Sequence, residues 1–411
     1  MASASAAADW PAFRGPNADG IAPGARAPLK WSANEGVVWK TDLPGPGAST
    51  PIVSRGNIFV TSYTGYGLTK ETPGEMSQLK RVLVCLDAAN GKVRWTREVK
   101  QEQQVEAFQG PYVTLHGYAS SSVAADGERV VCFFGNSGVW AFNYQGEKLW
   151  SVNVGNGTNE WGAGASPVFY KNLVIINASM ESDPLLALDK TNGKVVWRVT
   201  KGFPRAWNTP ALVDAGKGKP ELVVSTNGRL RAFDPDTGKE LWFCQGIRAA
   251  ELCPSIVAHQ GIIYVLGHPS GQAMAVRTGG QGDVTQTHVL WRLEKGSNVT
   301  SPVFHNGHLY WVSDSKGIVY CLKGESGEVV YEERLAPKPD RFFASPVLIE
   351  GRLYYVSRGR GAYVVAAKPS FELLAHNILA PPDEIFNGSP VPLDGKLLLR
   401  SDKALYCIGG K

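Results

Sequence analysis

The sequence predicts an all-β protein, an eight-bladed β-propeller of four-stranded antiparallel blades whose ring is closed by an N-terminal strand completing the last blade. Three observations carry this. The stretch LDAANGKVRW (Leu86–Trp95) returns as LDKTNGKVVW (Leu188–Trp197) and FDPDTGKELW (Phe233–Trp242). A second signature, such as ASPVFYKNLVIIN from Ala165 or TSPVFHNGHLYWVS from Thr300, alternates with it. Its proline, or the residue replacing it, falls at 51, 122, 167, 210, 254, 302, 346 and 390, at intervals of 71, 45, 43, 44, 48, 44 and 44 residues. A period near 44 residues with four short β-rich runs is the spacing of propeller blades, and eight landmarks mean eight blades.

Within a repeat, apolar runs are bounded by Gly, Asn and Asp turns, as antiparallel strands require. The third repeat predicts strands at Pro167–Tyr170, Leu173–Asn177, Leu185–Asp189 and Val195–Val199, with Thr191–Lys194 as a tight turn whose Asn and Gly tolerate positive φ. The aromatic that follows (Trp95, Trp150, Trp197, Trp242, Trp291 and, in place of Trp, Tyr331) then lies on the outer strand. Burying such a ring removes roughly 150–250 Å² from water, about 4–6 kcal/mol gross. Each ring is expected to pack on the neighbouring repeat and staple blade to blade. The last repeat has three strands, and an orphan outer strand, Val37–Leu43 with Trp39, precedes the first landmark. Pairing the two latches the ring without leaving a sheet edge. Residues 1–34 then form an N-terminal extension, and 35–411 a single propeller. The first repeat is about 27 residues overlong through insertions at Tyr63–Arg81 and Gln101–Ala119, a lid or wall beside the central funnel.

Composition excludes several classes. The chain is 43% hydrophobic, so a large core is available, and its net charge of +5 is scattered, which argues against nucleic acid. No apolar run approaches the roughly 18 residues of a membrane span. The Ala/Ser-rich start, MASASAAADW, reads as the remnant of a removed signal peptide behind an added Met, placing the protein in the periplasm or outside the cell. Of six cysteines, Cys85, Cys321 and Cys407 occupy matching repeat positions and are expected to be small core residues; Cys244 and Cys253 flank one loop and could pair. Metal-ligand spacing is absent.

The loops entering the inner strands are rich in aromatic, Arg, Glu and Asn residues: GTNEWGAGASP, FPRAWNTP, IRAAELCPS, GSNVTSP, PDRFFASP and DEIFNGSP. They place Glu160, Trp161, Arg205, Trp207, Glu251, Asn298, Arg341, Phe342, Glu384 and Asn387 near the axis, with His116 from the second insertion on the same face. A concave site with aromatic walls and a few polar groups is a ligand pocket, and Arg and Trp also anchor protein interfaces. No metalloprotease, nucleophile-elbow, P-loop or dinucleotide motif is present.

LDAANGKVRW, LDKTNGKVVW and FDPDTGKELW resemble the tryptophan-docking motif of quinoprotein alcohol dehydrogenase-like propellers, the pyrroloquinoline quinone (PQQ) repeat. The family holds quinone-dependent dehydrogenases and non-catalytic members, among them the eight-bladed lipoprotein subunit of the outer-membrane β-barrel assembly machinery. The chain is also similar to exported bacterial PQQ-like-repeat proteins that begin with a WPAFRGPNADG-type segment, here Trp10–Gly20. The dehydrogenase resemblance implies PQQ flat against Trp161 or Trp207, and Ca²⁺ held by oxygens from Glu160, Glu251, Asn298, Asp383 or Glu384. The family's adjacent-cysteine disulfide is absent, as are its long decorations. No lipid-accepting Cys lies near the N-terminus, unlike the assembly subunit. The favoured reading is a non-catalytic module that binds a protein partner of the cell envelope, a small molecule or a saccharide, with a PQQ-dependent alcohol or sugar dehydrogenase as the alternative.

Overall fold

The computed structural model describes residues 9–69, 71–100, 107, 116–182, 184–200, 203, 206–216, 218–249, 251–267, 271–379, 381 and 383–410. It is all-β: eight sheets of four antiparallel strands in chain order around an axis. The third blade comprises Val168–Tyr170, Leu173–Asn177, Leu185–Asp189 and Val195–Val199, within one residue of the sequence expectation. Val37–Asp42 pairs antiparallel with Ala404–Gly409, so the first strand in the chain completes the eighth blade. The fourth blade gains a fifth, parallel strand, Gly282–Asp283, donated by the following repeat.

A second closure runs around the axis. The hydroxyl residue opening each inner strand accepts a hydrogen bond from its neighbour's backbone. Thr50 N–H donates to Ser122 Oγ, Ser122 to Ser166, Ser166 to Thr209 and Thr209 to Ser255. Ser255 donates to Ser301, Ser301 to Ser345, Ser345 to Ser389, and Ser389 back to Thr50 Oγ1, all at 2.9–3.2 Å. The true repeat landmark is this hydroxyl rather than the proline beside it. Ser122 and Ser255 show that the proline-based alignment slips by one residue in the second repeat and by two in the fifth. Inner strands at a propeller hub have no strand on their axial side, and the ring satisfies one buried N–H per blade. Ser345→Ala is expected to cost about 1 kcal/mol, the value of one such bond, in a denaturant-unfolding midpoint.

Five outer-strand tryptophans meet the next blade over a turn glycine. A Cβ on Gly91, Gly146, Gly193, Gly238 or Gly327 would lie 2.4–2.8 Å from the ring of Trp39, Trp95, Trp150, Trp197 or Trp291 respectively. These glycines have φ of 70–79°, so both the turn and the ring require a residue without a side chain. Trp95, Trp150, Trp197 and Trp291 also donate Nε1–H to a carbonyl of that blade, at Tyr144, Lys190, Pro235 and Gly324. Tyr331 instead makes an edge contact with Phe371. Cys85, Cys321 and Cys407 are fully buried, and all six cysteines, Cys244 and Cys253 included, are free thiols.

Residues 9–31 do not hang loose. Trp10 bridges Val53 of the first blade, Pro11 O accepts from Ala125 N–H of the second, and Ile21 bridges Leu348 of the seventh. Arg14, 2% exposed, donates to the carbonyls of Asp19 and of Pro302 in the sixth blade. The segment therefore crosses the face opposite the inner-strand entry loops. The insertion after Tyr63 is shorter than expected, since strands Asn57–Thr64 and Lys80–Asp87 extend into it; the second lies largely outside the described residues.

Candidate functional site

The inner-strand entry loops surround an axial cavity of about 220 Å³. The hydroxyl ring encircles it, and Phe13 of the crossing segment reaches it from the opposite face. Of the eleven residues expected at the funnel, the structure gathers seven on this cavity: His116, Trp161, Trp207, Glu251, Asn298, Arg341 and Asn387.

Three others lie elsewhere, for local reasons. Phe342 N–H donates to Asp314 O, which fixes the strand orientation so that Phe342 turns into the core, edge-on to Tyr363. Its neighbour Phe343 then faces the cavity, because successive residues of extended chain point in opposite directions. Glu384 is buried within the eighth blade, accepting from Ser401 Oγ at 2.6 Å and Tyr406 OH at 2.8 Å, with Lys40 Nζ at 3.5 Å. It ties the latching strand to its blade. Glu160 sits in a turn at φ +73° and is exposed. Arg205 lies outside the described residues. Of the further oxygen donors considered, Asp383 is exposed and paired with Lys403.

Sequence reasoning missed Phe13, Cys253, Asp314 and Phe343 as lining residues. Asp314 follows the second strand of its blade, and its spacing gave no signal; Phe13 lies in a segment with no repeat counterpart.

The walls divide by charge. On the side of the fifth and sixth blades, Glu251 and Asp314 flank Cys253, whose thiol is pushed up to about 12 by burial and then by those two negative charges. That thiol is unreactive at neutral pH, because the thiolate is the nucleophile. Asp314 Oδ1 accepts from Asn298 N–H at 2.8 Å and Ser297 Oγ at 3.2 Å, while Asn298 Oδ1 is buried without a partner. On the adjoining seventh blade, Arg341 is exposed at the rim, and Arg358 donates to Asn387 Oδ1 at 2.9 Å with its guanidinium 4.6 Å from the Phe343 ring.

His116 stacks on Trp161, centroids 6.5 Å apart at 7°, and its Nδ1 lies 2.5 Å from Ser120 Oγ. Burial, then the nearby Arg358, lowers its pKa to about 4, so the imidazole is neutral at physiological pH. Trp207 is 7% exposed and donates Nε1–H to Gly162 O at 2.7 Å, a rigid wall rather than a mobile side chain. Two carboxylates and an amide oxygen, Glu251, Asp314 and Asn298, have the hard-donor chemistry that a calcium ion needs, and Trp161 and Trp207 present flat rings. Among the described residues, no group of three His, Cys, Asp or Glu side chains forms a metal cluster, and no helix is long and apolar enough to cross a membrane.

The profile of the family described as "Outer membrane protein assembly factor BamB" matches residues 76–209, 181–287 and 226–369. The assembly factor BamB of Kangiella koreensis is 30% identical over 201 residues, 44% of this chain and 49% of that protein, so the chain spans about half the length of this relative. The BamB structure from Moraxella catarrhalis superposes with a TM-score of 0.60 at 12% identity, covering 90% of this chain and 99% of that one. A europium-containing methanol dehydrogenase superposes at 0.67 and 11% identity over 95% and 89% of the two chains; both likenesses are of fold alone. With the profile matching more than half of its length, the chain belongs to the PQQ-like-repeat propeller family of outer membrane protein assembly factor BamB.

Proposed function

We propose that this propeller is a non-catalytic binding module of the cell envelope, periplasmic or otherwise exported, that engages a protein partner through its funnel face. The observation that carries the reading is the polar, aromatic cavity: aromatic walls at Trp161, Trp207 and Phe343, acids from the fifth and sixth blades, and beside them Arg341 of the seventh blade with Arg358 behind Phe343. At about 220 Å³ it suits an inserted side chain or short segment, or a single sugar or small molecule, rather than a polymer. The complementary occupant carries an acidic group toward Arg341 and Arg358 and a cationic one toward Glu251 and Asp314. The relatives' role as outer membrane assembly factors makes an envelope protein the favoured source of that segment.

A second reading, a quinone-dependent dehydrogenase, is favoured by one observation. The oxygens of Glu251, Asn298 and Asp314 line the same cavity, and that of Asn298 lacks a partner. Against it stand the free cysteines and the inert Cys253 thiol.

Two measurements separate them. A photo-crosslinking residue at Arg341 in cells is expected to yield a discrete envelope-protein adduct, whereas the same residue at exposed Lys92, on the opposite face, yields none. Equal labelling from both positions, or none from Arg341, sinks the binding reading. Saturable quenching of tryptophan fluorescence by PQQ with Ca²⁺, accompanied by dye reduction with an alcohol or sugar, would establish the dehydrogenase instead.

A further inference from the structure

We propose that a groove between the inner strands of the fourth and fifth blades, on the face away from the funnel, docks an extended basic segment of a partner protein by main-chain pairing. The pattern for such docking is present in the chain's own crossing segment. Trp10 exchanges both main-chain bonds with Val53 of the first blade, donating to its carbonyl at 2.8 Å and accepting from its N–H at 3.0 Å. The next carbonyl, Pro11 O, accepts from Ala125 N–H of the second blade at 2.8 Å. Two consecutive residues thus serve two adjacent blades. Gly20 and Ala22 pair with Leu348 of the seventh in the same manner.

Val53, Ala125 and Leu348 each stand three residues after the ring hydroxyl of their blade, where the strand's N–H and C=O turn away from its own sheet. The equivalent residues of the fourth and fifth blades are Leu212 and Ala258, in strands Ala211–Asp214 and Val257–His259. They hold the same ladder position, opposite Leu222 and Ile263 as Val53 is opposite Ile58. Among the described residues, no bond from the crossing segment reaches either of them. Val53, Ala125 and Leu348 are at most 6% exposed, whereas Leu212 and Ala258 are only half-buried. A cavity of about 440 Å³ lies against both, walled on its other side by Asn17, Ala18 and Asp19 of the crossing segment. An open strand edge of this kind is a template for an added chain.

The groove's charge selects the occupant. Asp19 and Asp214 line it with no Lys or Arg in its walls. Asp19 Oδ1 accepts from Ile21 N–H at 2.9 Å and Asp214 Oδ1 from Gly216 N–H at 2.8 Å, and among the described residues neither carboxylate is ion-paired. Arg14, beside Asp19, donates to main-chain carbonyls instead, and Lys219 after the same strand is held by Asp234 and Asp236. A Lys or Arg flanking the paired residues therefore complements the groove, and an acidic segment is repelled.

The test is fluorescence anisotropy of a dye-labelled, amidated peptide, Arg-Val-Pro-Ala-Arg, titrated with the full chain; its valine and proline copy the pairing of Trp10 and Pro11. Saturable binding with a Kd below about 1 mM is expected. N-methylation of the valine removes the peptide's donor to Leu212 O, and Ala258→Pro removes the donor to the peptide's proline carbonyl. Each should weaken binding about fivefold, the worth of one hydrogen bond, and Asp214→Asn about twofold. Ala258→Pro should melt like the wild type, because Val391 and Pro392 already hold the places of Val257 and Ala258 in the eighth blade. Should that variant fail to fold, the N-methylated peptide makes the equivalent cut against the wild-type chain. No saturation at millimolar concentration, equal binding of a peptide with Glu in place of both Arg, or affinity unmoved by N-methylation and by Ala258→Pro would each overturn the assignment; the last would place the peptide elsewhere, as in the funnel.

Discussion

Replacing Trp242 with alanine is expected to destabilise the propeller by about 4–6 kcal/mol, more than the same change at any other outer-strand tryptophan. Its ring is fully buried, whereas Trp150 and Trp197 retain 7–8% exposure and Trp95 and Trp291 are half-buried. The difference comes from the fifth repeat. In place of a short Asn-Gly turn it carries a longer connection whose Gly282–Asp283 pairs with Trp242 and Phe243 and seals the ring from solvent. The indole also has a different acceptor. Nε1–H donates to Glu221 Oε2 at 2.7 Å, and that same oxygen accepts from Gly279 N–H of the fifth blade at 3.2 Å. Truncation therefore removes about 3–5 kcal/mol of packing and takes a donor from a carboxylate that is only 6% exposed, a further 1 kcal/mol or more. Guanidinium unfolding of the Trp95, Trp197 and Trp242 alanine variants should rank them in that order of increasing loss. A Trp242 variant no less stable than the Trp95 variant would show that the sealed ring adds nothing.

The fold was legible because the chain writes the blade eight times. Strand limits, turn glycines and the latching strand all follow from local rules that each repeat satisfies independently. The hub was partly legible: the hydroxyls stood in the sequence beside the prolines, but the proline is the louder signal, and only the hydrogen bonds from Ser122 and Ser255 show which residue is equivalent. The site was less legible because its residues lie in loops that do not repeat. Trp161, Glu251 and Asn298 were found by distance from the inner strand alone. Phe342 and Phe343 differ by one position and face opposite ways, a choice made by the backbone bond to Asp314 that no spacing reveals. Glu384 is drawn away from the axis by Tyr406 and Ser401, partners contributed by the third strand of its blade and the turn before it. Trp10–Gly20 has no counterpart in the repeats; its role in crossing the hub emerges from contacts with blades one, two, six and seven.

Glu181 sets the pH dependence of stability, and Glu181→Gln is expected to abolish it between pH 6.5 and 8. The side chain sits in the turn after the second strand of the third blade, 5% exposed, with neither carboxylate oxygen hydrogen-bonded. A Cβ on Gly135 would come within 3.1 Å of its Oε1, so a glycine there leaves room for the carboxyl group. Burial pushes its pKa up to about 8 from an ordinary 4.5, so the folded protein holds a proton that the unfolded chain has released across that window. Stability must then fall as pH rises, by about 1.4 kcal/mol per unit, and this contribution is gone above pH 8. His116 works in the opposite sense: held near 4 against 6.5 unfolded, it makes stability rise with pH between those values. Between 4.5 and 6.5 the two slopes oppose each other, and His305, also lowered by burial, adds to the rise. From 6.5 to 8 Glu181 acts alone, a fall of about 2 kcal/mol. The buried guanidiniums of Arg14, Arg81 and Arg400, lowered by burial to about 10, 10 and 9, titrate above the window. The glutamine variant keeps the shape without the ionisation, so its unfolding free energy should be level over the same range and exceed that of the wild type by up to about 4 kcal/mol at pH 8. Denaturant curves at pH 6.5, 7.2 and 8 decide it. Parallel declines in both proteins would mean that Glu181 is hydrated or paired in solution, and that another group carries the slope.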